Sequence, residues 1–417
     1  MLELSVYSAS IVLLFLYLLI FKSTLNLTSL FLVLFLFMYG PAYVIYHWAD
    51  CDKEHVKILS ILMTMAVVMF ITGQLLYVWL FGKRKSNRLD FNYWVESERK
   101  IIFINDLLLV FLSILFSIFI IVGLFFFGGL DSLLYVIRNP VTPEDFGFYR
   151  ANTGVQGWIS GFYNYAITGT GRFIGFLFLA IALYKGNILR IWFGVGYLLL
   201  IFVGLLANLS KSSALIFVFQ ILLFYFVTKG RKLNFRKSFI VALFSVFVLI
   251  GIYLLTTNAE DSFTAMTLVS NRIFNEPNRV LALYTEHYPA IYPHTYGMNI
   301  RLVHNLLSDS EFVSSDMLLA GNIQGATVNS IFVGDAWVDF SYIGVVFQAL
   351  FLGVYLNFLD NLVFRNNNLI SQTVFVALFL AVLSLISIPL LPSMITFGLL
   401  SVPIASFVLR IRVFYKK

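Results

Sequence analysis

Arg301 and His304 stand three apart, a spacing that makes them neighbours on a helix. A histidine beside a fixed cation suits transfer from a phosphate-linked donor. The imidazole takes the proton of an attacking hydroxyl, and the cation steadies the departing phosphate. Asp335 and Asp339 are four apart in Gly334-Asp335-Ala336-Trp337-Val338-Asp339 and would share a helical face. They read either as acids favoured at a helix N-terminus or as a base with an acceptor-orienting carboxylate. Arg272, Arg279 and Glu286 recur at seven and share a face if the helix continues past Pro277. His287 and His294 carry a weaker signal. Asp50-Cys51-Asp52, with His47, Glu54 and His55 close by, has a spacing that can hold a divalent cation. A solvated acidic turn accounts for it better, and no metal is expected. The chain has no Gly-rich phosphate loop ending in Lys-Ser/Thr, no His-Glu-x-x-His and no Gly-x-Ser-x-Gly. Neither ATP nor another cofactor is therefore expected.

The elements that must position these residues are membrane helices. Of 417 residues, 60% are hydrophobic and 12% charged, where a soluble domain carries about 25% charged residues. Mean hydropathy is +0.89. Forty-five Phe and 22 Tyr suit lipid-facing and interfacial surfaces. The single cysteine, Cys51, excludes an intramolecular disulfide. Met1-Leu2-Glu3-Leu4 lacks a basic n-region, so the first apolar run is expected to be a retained helix rather than a cleaved signal. A span takes about 20 mostly apolar residues. About eleven spans are expected, at 6–21, 30–45, 58–81, 101–127, 167–184, 188–206, 209–227, 239–255, 342–359, 370–391 and 394–409. Gly73-Gln74 interrupts the third. The expected fold class is an all-α polytopic membrane protein forming a single membrane domain, residues 1–417.

Charge orients these spans. Nineteen of the 28 Lys and Arg fall on alternate connections: Lys22; Lys83 to Lys100; Lys185 and Arg190; Lys229 to Lys237; Arg365; and Arg410 to Lys417. The positive-inside rule puts that set in the cytoplasm, with the N-terminus outside and the C-terminus inside. The net charge of +7 thus encodes orientation, and no nucleic-acid partner is expected. Two long connections, 128–166 and 256–341, then face outward. Their Tyr, Phe, Trp and Leu content predicts short helices against the membrane surface. Thr142-Pro143-Glu144-Asp145 is one helix start. Asn275-Glu276-Pro277 is another, opening a helix that ends near Tyr288-Pro289. Nine cations stay unexplained by orientation: Lys53, Lys57, Arg138, Arg150, Arg172, Lys211, Arg272, Arg279 and Arg301. Snorkelling to headgroups or pairing with acids accounts for any one of them. As a group they suggest an anionic ligand, because arginine binds phosphate in bidentate fashion.

In layout the chain resembles the Wzy family, the O-antigen and capsule oligosaccharide repeat-unit polymerases. The likeness covers most of the chain: about eleven helices, one long outer loop near the middle and a second before the last three spans. Ser210-Lys211-Ser212-Ser213 looks like the family's basic turn before an apolar helix, and 334–344 looks like its return into the membrane. Arg150, ten residues and then Gly161 is similar to an arginine–glycine pattern in the first long loop of some members; Arg301 has no matching glycine in the second. The resemblance implies joining of undecaprenyl-pyrophosphate-linked oligosaccharide units on the periplasmic face of the bacterial inner membrane, without metal or nucleotide. It implies lipid-linked glycans and membrane lipid as partners, with a chain-length regulator protein as a further one. On that reading Arg150, Arg172, Lys211, Arg279 and Arg301 bind pyrophosphate, and His304, Asp335 or Asp339 activates the acceptor. An O-antigen ligase shares the layout. A lipid-linked oligosaccharide flippase is a different class, which usually shows repeated halves and charges near the midplane.

Overall fold

The computed structural model describes residues 2–21, 26–49, 53–82, 105–138, 155, 159–208, 211–228, 270, 276–310, 312–319, 330–366 and 369–410. Every regular element among them is an α-helix. In chain order these are α1 (Leu2–Phe21), α2 (Leu27–Ala49), α3 (Lys53–Phe81), α4 (Asp106–Phe126), α5 (Gly129–Arg138), α6 (Ile159–Thr168), α7 (Thr170–Lys185) and α8 (Ile188–Ala207). They continue with α9 (Lys211–Thr228), α10 (Glu276–His287), α11 (Arg301–Leu307), α12 (Ser315–Leu319), α13 (Phe332–Asn366), α14 (Leu369–Ser384), α15 (Leu390–Ile395) and α16 (Ser401–Val408).

Among the described residues, four stretches are long and apolar enough to cross a bilayer: Lys57–Phe81, Asp106–Phe126, Ile188–Ala207 and Phe332–Phe364. The pair α6 and α7, bent by 43°, makes a fifth. Many of their outward residues are large and apolar, with Leu107 81% exposed and Phe126 78%, as suits a lipid surrounding. Of the other expected spans, 239–255 lies outside the described residues. Those at 6–21, 30–45, 209–227 and 370–391 correspond to the shorter apolar helices Ser5–Ile20, Leu27–Gly40, Ile216–Thr228 and Leu369–Ser384.

The expected continuous span at 394–409 is instead two short helices, α15 and α16. Thr396 N and Phe397 N both donate to Pro392 O, and Gly398 takes φ +98°. The break brings this strand of backbone against the α6–α7 bend: Thr168 Oγ1 donates to Thr396 O at 3.0 Å, and a Cβ on Gly169 would stand 2.6 Å from that same oxygen.

The chain divides into two compact units. The first comprises Met1–Ser86, Val241–Asn361 and Leu383–Leu390; the second comprises Asn87–Ile240, Leu362–Val382 and Leu391–Lys417. In the first, α1 packs on α2 and α3, and α10 packs on the same two helices. Two glycines let α3 approach α13 closely. A Cβ on Gly73 would lie 2.2 Å from Leu350 O, and one on Gly353 would lie 2.3 Å from Phe70 O. Gln74, the polar interruption of the third span, uses that contact: its Nε2 donates to Gly353 O, and Asn357 Nδ2 donates to Gln74 O. Asp360 sits at the start of α2. It accepts from Leu27 N (2.8 Å), Thr28 N (3.3 Å) and Thr28 Oγ1, and so satisfies N-terminal donors that the helix itself cannot. Asn26 and Ser29 cap the same turn reciprocally.

In the second unit α7 packs along α8, and α6 packs on α4 and α7. Asn105 and Asn187 cap α4 and α8 by accepting from Leu108 N and Arg190 N. Gly186, at φ +64°, ends α7. Asp106 gathers Lys185 (3.2 Å) and Arg190 (2.8 Å) at one end of these helices. These are two of the cations that orientation assigns to the cytoplasm.

Candidate functional site

The residues that hold most of the expected chemistry lie in the first unit. The helix signalled by Asn275-Glu276-Pro277 runs Glu276–His287. Residues 288–300 then cross the first half of α13, which breaks at Phe340 and Ser341. Ser341 takes φ 56° there, and Gly344 backs onto Ala336 O so closely that a Cβ would lie 2.2 Å away. At the break the passing chain bonds to the carbonyls of Val338 and Asp339. Thr295 N donates to Val338 O at 3.0 Å and Tyr296 N to Asp339 O at 2.9 Å. Trp337 Nε1 donates to Tyr288 O at 2.9 Å and fixes the same crossing.

Both aspartates face this crossing, as their four-residue spacing predicts, but they are bonded differently. Asp339 accepts from Thr295 Oγ1 (2.5 Å) and Gly297 N (3.1 Å), so it holds a turn whose Tyr296 and Gly297 have φ 50° and 91°. Asp335, 9% exposed, accepts from Asn299 Nδ2 at 3.3 Å. Asn299 Oδ1 in turn accepts from Ser315 N at 2.8 Å, which ties α12 to the site. Among the described residues neither aspartate makes an ion pair. Their field, together with burial, reaches the nearby phenols. Burial first, then Tyr292, Asp335 and Asp339, push Tyr288 up to about 12. Burial first, then Asp335 and Asp316, push Tyr284 up as well. Both phenols stay protonated and able to donate.

Arg301 and His304 share α11, as expected, yet their environments differ. Arg301 is exposed; His304 is buried, with Nε2 3.2 Å from Ser310 Oγ and its ring edge-on to Phe312. His304 thus engages Ser310 and neither aspartate. Its Nδ1 is enclosed without a hydrogen-bond partner. Arg279 is exposed on α10, and among the described residues no ion pair involves it or Arg301. His287 and His294 bond to backbone, at Leu283 O and Val338 O. A shallow apolar depression lies between α1, α2, α3 and the start of α13. Phe332 lines it, one helical turn before Asp335.

Arg172 and Lys211 belong to the second unit. Arg172 is 1% exposed, and Lys211 opens α9. Arg150, Arg272, Thr142 to Asp145 and Asp50-Cys51-Asp52 lie outside the described residues. Among the described residues no cluster of His, Cys, Asp and Glu has metal-binding geometry. Sequence reasoning missed Thr295, Asn299 and Ser310. The Tyr296-Gly297 pair was the one available signal, since glycine marks turns. It also passed over Gln220, a lone amide in an apolar helix. No family model, curated protein or solved structure matches the chain.

Proposed function

We propose that this protein is a membrane glycosyltransferase of the Wzy type. It would join undecaprenyl-pyrophosphate-linked oligosaccharide repeat units, for O-antigen or capsule, on the periplasmic face of the bacterial inner membrane. The observation that carries the reading is an aspartate pair at a broken apolar helix, in the unit that also exposes two arginines. Asp335 is the base. Among the described residues Asn299 alone donates to it, which leaves lone pairs for the proton of an acceptor hydroxyl. Asp339 positions the 295–297 turn beside it. His304 is the second candidate for the base, acting beside Ser310.

The acceptor oxygen attacks the anomeric carbon of the growing glycan, the bond from that carbon to the pyrophosphate oxygen breaks, and the lipid pyrophosphate departs. Arg279 and Arg301 neutralise its charge; Arg150, Arg172 and Lys211 are the other cations suited to phosphate. The leaving group stores the driving force, so neither nucleotide nor metal is required.

Complementation tests this. A strain lacking the protein should accumulate single repeat units, and Asp335→Asn or the Arg279→Ala/Arg301→Ala pair should fail to restore long polymer. Full restoration by both variants would refute the site. Lipopolysaccharide gels separate the ligase reading, because a ligase-deficient strain carries no O-antigen on its core at all.

A further inference from the structure

The short helices α11 and α12 are inside out for a surface in water. In α11 His304 is buried, and Leu306, two residues on and so on the opposite side of the helix, is 75% exposed. Leu307 beside it is 73% exposed. In α12 Ser315 is buried, and Met317, again two residues on, is 54% exposed. Each helix thus turns a polar residue inward and large apolar residues outward. Val313, in the connection between them, is exposed as well. A helix on a water-facing surface shows the reverse pattern, because exposed apolar area is unfavourable in water.

Contacts with the rest of the first unit fix this register. Ser315 N donates to Asn299 Oδ1 at 2.8 Å, and Asn299 Nδ2 donates to Asp335. The place a Cβ on Gly297 would occupy is 3.5 Å from Phe340 Cζ and 4.0 Å from Val303 Cγ1, so the 295–297 turn lies between α11 and the break in α13. Beyond that break Ile343 and Phe347, four apart on one face, are 66% and 67% exposed. They belong to a stretch long and apolar enough to cross a bilayer. The apolar surface of that span therefore continues through the turn, where Tyr296 is exposed, onto α11. Tyrosine favours the level where hydrocarbon meets headgroups. The described charges on residues 301–319 are Arg301, Asp309 and Asp316, which do not form a basic patch, so attraction to anionic headgroups is not the basis of the contact.

We propose that α11 and α12 are seated in the lipid interface, with Leu306, Leu307, Val313 and Met317 at the acyl boundary. Arg301 and Asn305, exposed and four apart on another face of α11, then lie at headgroup level. The occupant of this apolar surface is the bilayer that α13 already enters. Through Ser315 and Asn299 the seated helices reach Asp335, so the membrane holds one wall of the aspartate site. The contact requires no glycosyl transfer and stands or falls separately from the polymerase reading.

The test uses the full chain in phosphatidylcholine nanodiscs, one chain per disc. Single cysteines in a Cys51→Ser background carry an environment-sensitive nitrobenzoxadiazole fluorophore. At Leu306→Cys and Met317→Cys the emission should be blue-shifted, quenched by phosphatidylcholine spin-labelled on its acyl chain and insensitive to aqueous iodide. Asp309→Cys should show the opposite sensitivities. Val313→Cys replaces either apolar-position variant that does not fold. Exchanging part of the phosphatidylcholine for phosphatidylglycerol should leave the blue shift unchanged; a shift that needs phosphatidylglycerol overturns the apolar basis. Iodide quenching at both Leu306→Cys and Met317→Cys overturns the proposal. Protection from both quenchers also overturns it, because protein rather than lipid would then cover the face.

Discussion

Asp339 and Asp335 sit one turn apart on the same helix face, but a substitution at each should fail in a different way. Asp339 accepts from Thr295 and Gly297, so Asp339→Ala leaves a buried N–H and a hydroxyl without an acceptor. Each unsatisfied group costs about 1–3 kcal/mol. Asp339→Ala should therefore lower the melting temperature in detergent markedly, while Thr295→Val should lower it by less. Asp335 has one long hydrogen bond, and Asp335→Asn keeps the shape and the contact with Asn299. It should leave stability within about 1 kcal/mol while abolishing polymer. A stable, inactive Asp339→Ala together with an unstable Asp335→Asn would reverse these roles. The spacing of the two aspartates was legible because a helix fixes which side chains share a face. Their partners were not: Asn299 is 36 residues before Asp335 and Thr295 is 44 before Asp339, and no local period links them. The same limit hid the Arg172–Gln220 bond across 48 residues.

Elements obey packing rules that a hydropathy profile does not carry. Gly353 and Gly196 both lie within apolar helices. A Cβ on Gly353 would enter the Phe70 carbonyl, whereas one on Gly196 would meet nothing within 4 Å. Gly353→Ala should destabilise by about 1–3 kcal/mol through overpacking. Gly196→Ala should be neutral or stabilising by up to about 1 kcal/mol, the helix-propensity difference. Equal effects on thermal unfolding would contradict the close α3–α13 approach. Asp360 offers a second comparison. Asp360→Ala strips Leu27 N and Thr28 of their acceptor, whereas Asp360→Asn keeps an oxygen there, so the alanine variant should be the less stable. At this scale Gly73-Gln74 was readable as an interruption, because an amide in an apolar helix needs a partner. That the partner is Gly353 follows from tertiary contact alone. The break at 396–400 was unreadable for a related reason. The segment is apolar enough to span, but Gly398 and the approach to Gly169 turn it.

For the whole molecule, the sequence carries its strongest statement in charge placement. Asp106, Lys185 and Arg190 meet at one end of their helices, as same-side residues must. The orientation itself makes a prediction that a single cysteine renders accessible. Cys51 lies in the first outer connection of the proposed topology. In intact spheroplasts a membrane-impermeant maleimide should label it without permeabilisation. In a Cys51→Ser background, Asp309→Cys should label likewise, since Asp309 is exposed in the connection assigned to the outer face. Ser86→Cys, within the basic run from Lys83 to Lys100, should label only after permeabilisation. Labelling of Ser86→Cys in intact cells, with Asp309→Cys protected, would invert the topology. Asp335 and Arg301 would then face the cytoplasm, where a chain with no nucleotide-binding motif would need a different donor. Orientation is thus the point on which the periplasmic transfer reading depends, and it can be measured without knowing the glycan.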